Sequence, residues 1–131
     1  MKSPPILPTG DVTFLFTDIE GSTALWDRTP DAMTESLAEH DRRINAIVAR
    51  HDGYVFSTAG DSFAVAFRSA AEAVEAALDV QLAFLEPVGG LAFKVRAGVH
   101  SGMATVRNGD YFGAAVNRGA RLSASAHGGQ L

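Results

Sequence analysis

The chain has 131 residues, 47% hydrophobic and 20% charged, which suits one soluble globular domain with a real core. A formal net charge of −4 and a pI near 5.4 give no electrostatic reason to expect nucleic acid or a membrane surface as partner, and zero cysteines exclude disulfides and thiolate metal sites. No apolar run is long enough to span a bilayer and the N-terminus lacks a secretory apolar core, so a cytoplasmic domain without a membrane segment is expected.

Residues 1–10, with prolines at 4, 5 and 8, read as an irregular lead-in to a domain covering 11–131. Val12 to Phe16 then read as a buried strand that carries Asp18 out at its C-terminal end. Gly21, Ser22 and Thr23 turn the chain into a helix start, where free backbone N–H groups favour an anion. A carboxylate beside such a cradle suits a metal–phosphate group; the same residues also make an ordinary strand end with a helix cap. Asp31 is the expected N-cap of a longer helix whose apolar stripe is Met33, Leu37, Ile44, Ile47 and Val48, with His40 packed on or near it and Gly53 as its stop.

Tyr54–Phe56 and Phe63–Phe67 read as strands joined by a hairpin loop over Ser57–Ser62, which places Asp61 in the turn. Ser69 opens a second amphipathic helix, with Ala70, Val74, Ala77, Leu78, Leu82 and Leu85 expected inward and Pro87 beyond its end. Phe93 to His100 alternates as a strand should, Ser101-Gly102 suggests a turn or bulge, and Asn108-Gly109 is a strong hairpin signal. A last helix is expected from Ala114 to Ala126, with Gly119 inside it marking close packing or a ligand, and the chain ends on the first residues of another strand.

The order β-α-β-β-α-β matches an α+β, ferredoxin-like (split βαβ) plan, an antiparallel central sheet with helices on one face. A hairpin in that plan brings Asp61 near the strand end carrying Asp18. Two carboxylates on neighbouring strand ends suit a pair of divalent cations; the bland alternative is one capping aspartate and one turn aspartate.

With these residues in order, the chain resembles the catalytic domain of the class III adenylate and guanylate cyclases, from Leu7 to Leu131 and through four motifs. Phe16-Thr-Asp-Ile-Glu-Gly-Ser-Thr23 is similar to the first metal motif, and Gly60-Asp-Ser-Phe63 to the second. Val95-Arg-Ala-Gly-Val-His-Ser-Gly102 is similar to the strand whose arginine faces the triphosphate, and Asp110 to Arg121 to the segment contacting base, ribose and transition state. The resemblance implies Mg2+ or Mn2+, two per site, held by Asp18, the Ile19 carbonyl and Asp61. It further implies Arg96 on the triphosphate, Asp110 on the adenine amino group, and Asn117 and Arg121 as catalytic residues. The last two are four apart on the expected helix and share a face, so an amide and a guanidinium could act together there. The implied partner is a second copy, head to tail, and the implied substrate ATP, with GTP as the other candidate.

Two departures from the family pattern stand out. The adenylate cyclases carry a lysine four residues before the second metal aspartate, where this chain has Ser57, and guanylate cyclases typically carry glutamate. The family domain also continues with further strands and a triphosphate lysine, so the expectation is a C-terminally short domain with weak or no activity. A regulatory homology domain that binds nucleotide or dimerises is the competing reading. A diguanylate cyclase is disfavoured because Ala59-Gly-Asp-Ser-Phe63 stands at the hairpin in place of that family's glycine-glycine-acid motif.

Overall fold

β1 (Gly10–Ile19) is the central strand, and the rest of the chain is arranged on its two edges and two faces. The computed structural model describes residues 8, 10–107 and 110–112. After β1 come α1 (Ser22–Arg28), α2 (Pro30–Arg50), β2 (Tyr54–Ala59), β3 (Ser62–Phe67), α3 (Ala70–Ala83), β4 (Val95–Arg107) and β5 (Asp110–Phe112). The sheet order is β2-β3-β1-β4-β5 and every pairing is antiparallel, the expected α+β plan. The expected helix over 114–126, with Asn117 and Arg121, lies outside the described residues.

β1 reads as a nearly continuous apolar run because both its faces are covered. Leu15 and Ile19 join Val65, Phe67, Val95 and Ala97 against α2 and α3, while Val12, Phe14 and Phe16 join Ala66 and Tyr111 on the other face. That second face is aromatic: Phe14, Phe56 and Tyr111 meet with ring centroids 4.8 to 5.7 Å apart, mostly edge to face. Phe14 and Phe67 are fully buried, and each such side chain contributes about 1.5–3 kcal/mol.

Four local expectations are corrected. Thr29, not Asp31, precedes α2; Pro30 occupies its first turn, where a fixed φ and a missing N–H cost nothing, and Asp31 sits in the first turn facing the positive helix end. Gly53 is not the left-handed stop of α2, because Asp52 takes the positive φ of 55°. The β2–β3 connection is a two-residue turn, with Ala59 paired to Ser62 around Gly60 at φ 60°. β4 runs unbroken through Ser101-Gly102, held in register by β1 from Val95 opposite Ile19 to Ala104 opposite Gly10.

The face of α3 also differs from the expected one. Ser69 caps it as expected, its Oγ accepting from the Glu72 N–H at 3.3 Å. Ala77 is buried as expected, but its buried neighbours are Ala73, Ala76 and Val80, while Ala70, Val74, Leu78, Leu82 and Leu85 are exposed. Small alanines let the helix lie close to the sheet, and that closeness outweighs the larger apolar area of the leucines on the opposite side.

Candidate functional site

Asp18 stands directly opposite Arg96 in the β1–β4 register, so the two side chains leave the sheet on the same face. The guanidinium forks onto both carboxylate oxygens, Nε donating to Oδ1 at 2.6 Å and Nη2 to Oδ2 at 2.9 Å. This hydrogen bonding raises the Arg96 pKa further, against a smaller opposing effect of burial. Asp61, in the β2–β3 turn, sends Oδ2 back to accept from the Ile19 backbone N–H at 2.7 Å. The two expected metal carboxylates therefore flank one strand end, where the chain continues into Gly21-Ser22-Thr23. Gly21 adopts φ 70° there, and Ser22 begins the short helix α1.

Ser57 reaches this region through a β-bulge. Tyr54 and Val55 pair with Ala66 and Val65, but Ser57 pairs with Ala64 where an unbroken ladder would put Phe63. The extra residue is Phe56, and the shift turns Ser57 to the side of Ala64, Phe16 and Asp18. A cavity of about 220 Å³ results, lined by residues that include Asp18, Ser57, Ala59 and Ser62. A larger cavity of about 580 Å³ lies by the end of α2, between His51, Tyr54 and Arg68; the smaller one is the candidate site because it joins Asp18 to Ser57.

Under the site, His40 is fully buried with its ring among Phe63, Phe84 and Phe93, and burial lowers its pKa. Its Nδ1 lies 2.8 Å from Asp41 Oδ1, while its Nε2 and the Thr17 Oγ1 are buried without a hydrogen-bond partner among the described residues. The histidine is thus a packed residue, as expected from its place on the α2 stripe.

Not every expected site residue is brought to this end. Asp110 pairs with Arg107 at the far end of β4, roughly 35 Å from Arg96 at the usual strand rise. One copy of the chain therefore does not unite Asp110 with Asp18. Sequence reasoning also missed a cluster: His51 Nδ1 lies 2.8 Å from Glu72 Oε2 and 3.9 Å from Glu75, and its Nε2 lies 2.7 Å from Asp79 Oδ2. The helical spacing of Glu72, Glu75 and Asp79 was legible; the approach of His51, at the C-terminus of α2, was not.

The donor set at the candidate site fits hard divalent cations. Asp18, Asp61 and the Ile19 carbonyl offer oxygen only, the preference of Mg2+ and Mn2+, and a cationic guanidinium already sits on Asp18.

Known proteins agree with this architecture. The family model described as the adenylate and guanylate cyclase catalytic domain matches residues 5–131. An uncharacterized protein of Mycobacterium tuberculosis is 40% identical over 126 residues, covering 95% of this chain and 42% of its own length. The receptor-type adenylate cyclase GRESAG 4.3 of Trypanosoma brucei brucei is 48% identical over 83 residues, 63% of this chain and 7% of that protein. Among solved structures, an adenylate cyclase from Trypanosoma brucei superposes with a TM-score of 0.85 at 33% identity, over 97% of this chain and 74% of that one. The guanylate cyclase domain of RhGC from Catenaria anguillulae, in complex with GTP, superposes at 0.82 with 25% identity, over 95% of this chain and 78% of that one. The chain thus spans less than half of the mycobacterial relative, and on sequence and fold together it belongs to the adenylate and guanylate cyclase catalytic domain family.

Proposed function

We propose that the chain is an adenylate cyclase domain, converting ATP to 3′,5′-cyclic AMP and pyrophosphate at a site shared between two head-to-tail copies. The observation that carries the reading is the fastening of Asp61 to the Ile19 N–H beside Asp18, which sets two carboxylates at one strand end. In this reading Asp18, Asp61 and the Ile19 carbonyl hold two Mg2+ or Mn2+ ions. When bound, the ions supply an acidified 3′-hydroxyl and charge neutralisation at the phosphates. Arg96 binds triphosphate oxygens, and the Gly21-Ser22-Thr23 turn offers backbone N–H groups to them.

The reaction forms a bond from the ribose 3′-oxygen to the α-phosphorus, breaks the bond from that phosphorus to the pyrophosphate oxygen, and releases the 3′-hydroxyl proton. Asp110, Asn117 and Arg121 of the second copy serve base, ribose and transition state. The separation of Asp110 from Asp18 along β4 supports a composite site, and a two-fold axis would create two of them. ATP is the preferred substrate over GTP because Ser57 is not the glutamate typical of guanylate cyclases. Ser57 is also not the adenylate cyclase lysine, and this exposed, uncharged residue beside the cavity favours a second reading, a nucleotide-binding or dimerisation module. Among the described residues no helix is long and apolar enough to cross a membrane, and the proposed setting is the cytoplasm.

Cyclic AMP measured from Mn-ATP over a protein concentration series tests the proposal. Production should rise more steeply than linearly with protein and vanish in Asp61→Ala. Nucleotide binding without any product would establish the regulatory module instead.

A further inference from the structure

The Asp18 carboxylate has both its oxygens engaged by Arg96, in two charge-assisted hydrogen bonds of 2.6 and 2.9 Å. The partners face each other across β1 and β4 and are half-buried, with the Asp18 and Arg96 side chains 20% and 25% exposed. Such a fork is among the stronger side-chain interactions, and partial burial shields it from solvent screening. Glu20 and Asp61 also lie within electrostatic reach of the same guanidinium. Arg96 therefore balances a local concentration of carboxylates that would otherwise repel one another.

We infer that Arg96 is the resident counter-ion of Asp18, and that a divalent cation enters only by displacing it, so that metal entry and release of the guanidinium form one exchange. The inference rests on the metal-site reading of Asp18 and Asp61 given above. The physical reason is crowding of positive charge on the same two oxygens, each of which already accepts one guanidinium N–H. A hard cation at Asp18 needs at least one of the two oxygens that the fork occupies, and a cation beside an unmoved guanidinium would meet like-charge repulsion.

The exchange has a consequence for loading order. A guanidinium displaced from Asp18 gives up its two charge-assisted hydrogen bonds until a new anion replaces them, which weakens binding of metal alone. A polyphosphate supplies that anion. Metal and nucleotide phosphates should therefore bind with positive coupling, and Arg96 is the residue through which the coupling passes.

Two measurements test this on the whole chain without turnover. Mn2+ binding without nucleotide is followed by calorimetry in the wild type, Arg96→Met, Arg96→Lys and Asp18→Asn. Removing the competing charge in Arg96→Met should tighten Mn2+ about tenfold, the scale of one charge-assisted hydrogen bond, with Arg96→Lys in between and Asp18→Asn not binding. In the unmodified protein, the nitrogen-15 NMR signal of the Arg96 Nε–H, identified by its loss in Arg96→Lys, should shift and exchange faster with water as Mg2+ is added. Unchanged or weaker Mn2+ binding in Arg96→Met, with binding still abolished by Asp18→Asn, overturns the exchange and leaves the metal site standing. An Nε–H signal unmoved by saturating Mg2+ overturns it equally, even if the methionine variant does not fold. Failure of Mn2+ to bind any form, or binding indifferent to Asp18, overturns both the exchange and the metal-site reading.

Discussion

Asp61 Oδ2 accepts the Ile19 backbone N–H at 2.7 Å, so one carboxylate anchors the β2–β3 turn to the strand end that carries the other. An asparagine can keep the acceptor while losing the charge. Asp61→Asn should therefore unfold in urea within about 0.5 kcal/mol of the wild type, whereas Asp61→Ala should lose about 1–2 kcal/mol from the unpaired N–H. Both should lose cyclic AMP formation from Mn-ATP. A stable Asp61→Asn that retains activity would remove the metal role and leave only the structural one.

Ser57→Lys should raise cyclic AMP formation from Mn-ATP by about tenfold, the effect of one charge-assisted hydrogen bond to the base. Ser57 is exposed at the cavity, so stability in urea should stay within about 0.5 kcal/mol of the wild type. Unchanged activity in a folded variant would show that Ser57 is not the limiting departure.

Gly53→Ala should destabilise the fold by about 1–3 kcal/mol, measured by urea unfolding. A Cβ there would lie 2.7 Å from the Phe67 ring and 2.9 Å from Val48 Cγ1, and neither the fully buried ring nor the helix has room to withdraw.

His51 should make stability depend on pH. Hydrogen bonds to Asp79 and Glu72 raise its pKa above the ordinary 6.5, with Glu75 3.9 Å away and Arg50 3.8 Å from Asp79. The folded state then holds a proton that the unfolded state releases first. The stabilisation is full below pH 6.5 and is lost as pH rises through the higher folded value. His51→Gln should accordingly cost more stability at pH 6 than at pH 9 in urea titrations. An equal loss at both would mean that the cluster contributes without its proton. His40 acts in the opposite sense: its lowered pKa destabilises the fold as pH falls below 6.5.

Much of this was legible from sequence because the informative signals were local. Asp18 after an apolar run, Asp61 beside Gly60 and Ser69 before a helix each combine a residue type with a backbone need. The antiparallel α+β plan followed from the order of the elements. What failed was long-range. Periodicity on α3 offers two possible faces, and the larger residues suggested Val74, Leu78, Leu82 and Leu85; the sheet instead accepts Ala73, Ala76, Ala77 and Val80 because it admits a helix only at short range. The pairing of Arg96 with Asp18 depends on a cross-strand register that spans most of the chain, and no local pattern encodes it.

The bulge at Phe56 divides labour between two neighbours in sequence. Phe56 turns toward Phe14 and Tyr111 and carries the packing, while Ser57, next to it and on the same side, only lines the cavity. Position 57 is thereby relieved of any duty to the core. On the proposed function, exchanging its side chain would alter what the cavity presents to a nucleotide while leaving the folded state almost as stable. If that function holds, substrate preference could be redesigned in such a strand by one codon, with no compensating change elsewhere.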